Sequence, residues 1–103
     1  MKQRWDIFCK IVDNFGDIGV CWRFARQLHV EYGVEIRLWV DDLSAAQTII
    51  TGLSVEKNQQ ICDGISIEKW DEAADFNQAA EVVIEAFACG LPPSYLAAMA
   101  QQQ

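Results

Sequence analysis

The sequence predicts an α/β fold, a Rossmann-like doubly wound parallel sheet, and three observations carry that expectation. Apolar runs rich in β-branched and aromatic residues alternate with amphipathic helical patterns. Helix punctuation falls where that alternation needs it, with Asp17 before one apolar stripe, Gly33 after it and Pro93 opening another. A glycine-bordered turn, Asp13-Asn14-Phe15-Gly16-Asp17-Ile18-Gly19, joins the first strand to the first helix, where open α/β sheets place their ligands.

The first strand is read from Trp5, Ile7, Phe8, Cys9, Ile11 and Val12, a nearly continuous apolar run that suits a strand covered on both faces. A helix from about Ile18 to Tyr32 follows, capped by Asp17, with Cys21, Phe24, Ala25, Leu28 and Tyr32 as its buried stripe and Arg23 and Arg26 outward. Val34 to Val40 alternates apolar Val34, Ile36, Leu38 and Val40 with Glu35, Arg37 and Trp39, a second strand with one polar-leaning face. Asp41 and Asp42 read as capping and solvated residues before a helix from Leu43 to about Gly52. The polar stretch 54–64 reads as a loop, and Ile65, Ile67 and Trp70 as a short edge strand. A short acid-rich helix is expected at 71–76, a buried strand at 81–86, and a last helix from near Pro93 carrying Tyr95, Leu96 and Met99. Right-handed crossovers then put the loops after the first and last strands on one edge of the sheet, which gathers Asp13, Asp17 and Glu85 into one crevice.

Composition narrows the chemistry. The 103 residues, 51% hydrophobic, suffice for at most one domain. Eight Lys and Arg against fifteen Asp and Glu give a net charge of -7, which speaks against nucleic acid and anionic lipid as partners. Cys9, Cys21, Cys62 and Cys89 are widely spaced in apolar surroundings and read as buried, reduced thiols. Without a membrane-length apolar run or a signal peptide, the expected compartment is the cytoplasm. His29 reads as a surface or helix-dipole residue, and Trp5, Trp22, Trp39 and Trp70 as core or interface residues.

The turn at 13–19 lacks G-x-G-x-x-G and any Gly-Lys-Ser/Thr, and its carboxylates would repel a phosphate. It suits a cationic ligand or proton abstraction. Read structurally, the same residues cap a helix and form a turn: Asp17 as the cap, Asp13 as a turn acceptor, Gly16 and Gly19 for backbone geometry.

The segments IFCKIVDNFGDIGVCWRFARQLHVEYG, RLWVDDLSA and VVIEAFACGLPPSYLAAMA together resemble the amino-terminal part of the elongation factor P arginine rhamnosyltransferases, the EarP family, from about Trp5 onward. The resemblance implies a two-domain GT-B glycosyltransferase that inverts configuration as it transfers L-rhamnose from dTDP-β-L-rhamnose to an arginine of elongation factor P. It implies that residues 1–103 are an incomplete, acceptor-side Rossmann-like domain lacking the carboxyl-terminal sugar-nucleotide domain, a fragment inactive alone. Asp17 would be the general base and Asp13 would orient the acceptor, with Asn14, Phe15, Gly16, Ile18, Gly19 and Glu85 lining the site and neither metal nor cofactor required. The alternatives are a non-catalytic acidic docking domain and a nucleotide- or phosphate-binding regulator of flavodoxin-like shape.

Overall fold

The computed structural model describes residues 3–10, 16–70, 80, 82–85 and 93–101; for 16, 17 and 101 the backbone alone is described. The elements run β1 (Arg4–Cys9), α1 (Gly16–Tyr32), β2 (Glu35–Val40), α2 (Leu43–Gln47), β3 (Gln59–Cys62), β4 (Ile65–Lys69), β5 (Val82–Glu85) and α3 (Pro93–Gln101). They build one five-stranded sheet in the order β3-β4-β2-β1-β5. Four strands are parallel and β3 is antiparallel to β4, so the sheet is mixed rather than purely parallel. Taken alone, the parallel strands lie in the order third-second-first-fourth, that of the first half of a doubly wound fold with the strand that opens its second half.

Two apolar layers hold the sheet. On one face Ile7 and Cys9 of β1, Ile36, Leu38 and Val40 of β2, and Ile65 and Ile67 of β4 meet α1 and α2. On the other, Phe8, Trp39 and Trp70 meet Tyr95 of α3, with Val83 and Met99 packed against them. Alternation along each strand sends neighbouring residues to opposite layers. That is why β1 and β2 are buried throughout most of their length.

The buried stripe of α1 is rotated from the expected one. Ile18, Cys21, Trp22, Ala25 and Leu28 are buried, at spacings of three and four, whereas Phe24 is 38% and Tyr32 70% exposed. Trp22 takes the inward position that Phe24 was expected to hold. The helix also begins at Gly16, so Asp17 stands within its first turn instead of capping it. Its end is as read: Gly33, at φ +66°, donates its amide to the His29 carbonyl at 3.0 Å and closes the helix in the left-handed conformation.

Further corrections follow from pairing that local sequence does not reveal. α2 stops at Gln47 rather than near Gly52; Asp42 caps it through the Ala45 amide at 3.1 Å, and the Thr48 hydroxyl donates to the Ala45 carbonyl at its other end. Residues 59–62, expected as loop, form β3, a polar edge strand needing no apolar alternation because β4 alone holds it. Asp63 and Gly64, at φ +52° and +79°, make the tight hairpin turn, a conformation suited to Asp-Gly. With β3 outside it, β4 is an interior strand with Ile65 and Ile67 fully buried, not an edge. β5 is half-buried and lies at the edge of the sheet among the described residues, less enclosed than expected. The helix expected at 71–76 lies outside the described residues, as does Cys89. Cys9 and Cys21 are buried reduced thiols, and Cys62 is a half-buried one, pushed up first by burial and then by Asp63.

His29 joins the hairpin to α1. Its Nδ1 donates to the Val34 carbonyl at 3.0 Å, which places the proton of the neutral ring on Nδ1. A Cβ on Gly64 would stand 2.6 Å from Nε2 of the same ring. Gly64→Ala therefore combines a left-handed backbone with a clash against a half-buried ring. We expect it to destabilise the protein by about 1 kcal/mol or more, read as a lower denaturation midpoint, with part of the loss recovered in Gly64→Ala/His29→Ala.

Candidate functional site

β1 is flanked by β2 and β5, and the chain leaves β1 and β5 toward opposite faces: α1 packs in the first apolar layer, α3 in the second. This divergence makes the carboxyl end of the β1–β5 pair the topological switch point, where doubly wound sheets open a ligand crevice. The register pairs Ile7 with Ile84 and Phe8 with Glu85. Glu85 is exposed and ends β5 beside the end of β1, while α1 opens at Gly16 and α3 at Pro93.

Of the residues read as functional, Glu85 stands at this switch point, and Gly16 and Asp17 form the first turn of the helix that follows β1. Ile18 is fully buried in the first apolar layer, which makes it a packing residue, and Gly19 lines a groove. Asp13, Asn14 and Phe15 lie outside the described residues. That groove, about 460 Å³, runs along α1 from Gly19 past Trp22, Arg26 and Val30 to Ile49. The Arg26 guanidinium sits 5.8 Å from the Trp22 ring and pairs across 3.5 Å with Asp63, both charges exposed and of small energetic weight.

Beneath the switch point lies a network that sequence reading missed. Asp6, in the middle of β1, is fully buried and accepts from Arg37 at two points, Nε to Oδ1 at 2.6 Å and the Nη2 amine to Oδ2 at 2.5 Å. The pair is possible because parallel pairing sets Asp6 directly beside Arg37 in β2. Tyr95, fully buried on α3, donates its hydroxyl to Asp6 Oδ2 at 2.5 Å and accepts the Ala80 amide at 3.1 Å. Burial alone would lower the Arg37 pKa, but the hydrogen bond to Asp6 and its charge more than reverse that, so Arg37 stays firmly charged. Burial, and then the bond to anionic Asp6, hold the Tyr95 phenol well above its ordinary value. Burial likewise raises the Glu68 carboxyl, against the pull of Arg37.

Aromatic rings complete the floor. Phe8 stacks on Trp39 with centroids 5.6 Å apart and meets Trp70 and Tyr95 edge-on at 5.4 and 4.8 Å. The Trp70 indole donates to the Cys9 carbonyl at 3.4 Å, reaching from the end of β4 to the end of β1. The face of β2 that reads as polar-leaning is thus packed: Trp39 is 8% exposed, and the Arg37 guanidinium lies 5.2 Å from its ring. A signal existed in the acid inside the first apolar run and the single Arg in the second strand. Register alone shows that they face each other.

Among the described residues no helix is long and apolar enough to cross a membrane. Comparison with known proteins places the chain among relatives of one kind. Residues 5–103 match the family model described as Elongation-Factor P (EF-P) rhamnosyltransferase EarP. The chain is 50% identical over 99 residues to a protein-arginine rhamnosyltransferase of Pseudomonas putida and 46% identical over 99 residues to one of Pseudomonas aeruginosa, in each case covering 96% of this chain and 26% of the relative. A protein of the same name from Shewanella oneidensis is 47% identical over 91 residues, 87% of this chain and 23% of the relative. The chain therefore spans about a quarter of the length of the curated relatives it matches.

The buried pair and the phenol lead to two expectations. Arg37→Met leaves Asp6 buried without its cation and should cost about 3 kcal/mol or more of stability by denaturant titration, since a lone buried charge is poorly tolerated. Because the folded-state pKa of Tyr95 is raised, its contribution is complete below the ordinary tyrosine value near 10 and is lost as the pH climbs above it. The denaturation midpoint should fall between pH 9.5 and about 11, and fall less steeply in Tyr95→Phe.

Proposed function

The chain belongs to the family of elongation-factor P (EF-P) rhamnosyltransferases, EarP, and from that membership we propose that it forms the acceptor-binding part of a protein-arginine rhamnosyltransferase. The intact enzyme, in this reading, has the two-domain GT-B architecture. Its amino-terminal domain, to which residues 1–103 contribute, receives an arginine of elongation factor P, and a carboxyl-terminal domain holds dTDP-β-L-rhamnose. The reaction is cytoplasmic and uses neither metal nor cofactor.

One observation carries the reading: α1, whose first residues are Gly16 and Asp17, follows β1 at the switch point of the sheet, with Glu85 at the end of the neighbouring strand. A guanidinium is planar, charged and delocalised, and its nitrogens are poor nucleophiles. Carboxylates suit it. Asp13 holds and orients the cation, and Glu85 adds negative charge from the end of β5. As a guanidinium nitrogen attacks the anomeric carbon of rhamnose, the carbon–oxygen bond to dTDP breaks and dTDP leaves with the electron pair. The proton of the attacking nitrogen passes to Asp17, and attack opposite the leaving group inverts the anomeric configuration.

The position of Asp17 in the first turn of a 17-residue helix bears on its role. The positive end of the helix dipole stabilises its carboxylate. Proton transfer to Asp17 accompanies carbon–nitrogen bond formation rather than preceding it, because the guanidinium nitrogen becomes acidic only as it attacks.

Asp17→Asn in the full-length protein should lower turnover by about 10²-fold or more, while binding of elongation factor P stays within a few-fold. Mass spectrometry of the acceptor and calorimetric titration measure the two quantities. Proportional loss of both would instead favour the non-catalytic docking role. Nucleotide affinity residing in this amino-terminal part would point to the regulator.

A further inference from the structure

We infer that the Tyr95 hydroxyl is a positioning group for the β1–β5 crevice, setting β5 and the start of α3 in place relative to β1. This rests on the reading of that crevice as the acceptor site.

The hydroxyl is not needed for packing. The ring of Tyr95 meets Phe8 edge-on at 4.8 Å within an apolar cluster, a contact that phenylalanine would make equally well. Asp6 already has both oxygens engaged by Arg37. What the oxygen adds is a junction of three chain segments: it accepts the amide of Ala80, two residues before β5, donates to Asp6 in β1, and is carried by α3 two residues after its start at Pro93. The amide lies just before the amino end of β5 and Asp6 in the middle of β1, so the junction anchors β5 at the end opposite Glu85 and ties it to the first turn of α3.

The strand being held is the one most in need of it. β5 has four residues, is half-buried, and among the described residues is paired on one side only, by β1. Its register against β1 sets Glu85 beside Phe8. A bond to an anion is stronger than one between neutral groups, and the buried Asp6–Arg37 pair gives it a rigid base. Without the hydroxyl, the Ala80 amide loses this acceptor in a buried place, and the short strand is left to its sheet hydrogen bonds and apolar contacts. Small displacements of reacting groups are expensive: about 1 Å can cost 10²-fold in rate.

The test compares Tyr95→Phe with Met99→Ala in the full-length protein. Met99 packs against the same aromatic cluster without entering the hydrogen-bond junction, so its truncation destabilises α3 and leaves the hydroxyl intact. Steady-state transfer from dTDP-rhamnose to elongation factor P gives kcat and both KM values. Hydrogen–deuterium exchange follows peptides covering Ala80 and Val82–Glu85. Tyr95→Phe should lower kcat by about tenfold or more with the donor KM unchanged, and should speed exchange across those peptides. Met99→Ala should change kcat by no more than about twofold at a comparable loss of Tm. Equal effects of the two variants on kcat, or unchanged exchange in Tyr95→Phe, would overturn the inference. Should the parent protein transfer no rhamnose, the transferase reading fails by itself, and exchange alone decides whether the hydroxyl holds β5. If Tyr95→Phe does not fold, Ala80→Pro removes the amide donor, leaves the Tyr95–Asp6 bond, and is judged by the same two readouts.

Discussion

A carboxylate buried in the middle of the central strand is the constraint on which the rest of this structure depends. Asp6 has no exposed surface, and removing an ion from water is affordable only with a partner and with its remaining lone pairs occupied. Arg37 supplies the partner from the next strand, and Tyr95 supplies a further donor from the last helix. The network therefore specifies as well as stabilises. A slip of β2 against β1 by one residue would turn Arg37 to the opposite face and leave the carboxylate without its cation. A displaced α3 would remove the phenol.

The aromatic cluster is the apolar counterpart of that device. Phe8, Trp39, Trp70 and Tyr95 come from three strands' worth of chain and a helix, and close the second face of the sheet around the charged pair. The Trp70 indole reaches the Cys9 carbonyl and its backbone amide the Val40 carbonyl, so the carboxyl ends of β1, β2 and β4 are tied by one residue. A floor of this kind gives the carboxyl end of the sheet rigid walls. Flat rings with few rotatable bonds keep little freedom to lose. In the proposed enzyme that rigidity serves an acceptor side chain that must be held while a sugar is delivered from another domain.

The opposite face is built from simpler materials. Ile18, Cys21, Trp22, Ala25 and Leu28 of α1 with Leu43 and Ala46 of α2 cover Ile, Leu and Val of the sheet, and the hairpin of β3 with β4 closes its edge. Cys9 and Cys21 serve there as small apolar residues. The outward side of α1 carries exposed Val20, Val30 and Tyr32 beside charged residues. The division between an apolar face and a mixed charged-aromatic face follows from the alternation of β1 and β2, in which every second residue belongs to a different layer.

Among the described residues, the succession β1, α1, β2, α2, β4, β5 and α3, the end of α1 at Gly33, the cap at Asp42 and the start of α3 at Pro93 were legible in the sequence, because each depends on residues within one turn or one strand of each other. The β3 strand was not, since a polar edge strand has no periodicity of its own and exists only because β4 pairs with it. Nor was the rotation of the α1 stripe, where Trp22 and Phe24 compete for the inward position and the shape of the sheet surface decides. The Asp6–Arg37–Tyr95 junction was the least legible of all. Its members are 31 and 89 residues apart from Asp6, and a charge in an apolar run carries no mark of the partner that long-range register will bring beside it. Local sequence determined the elements, while the pairing of distant segments decided which charges became structure.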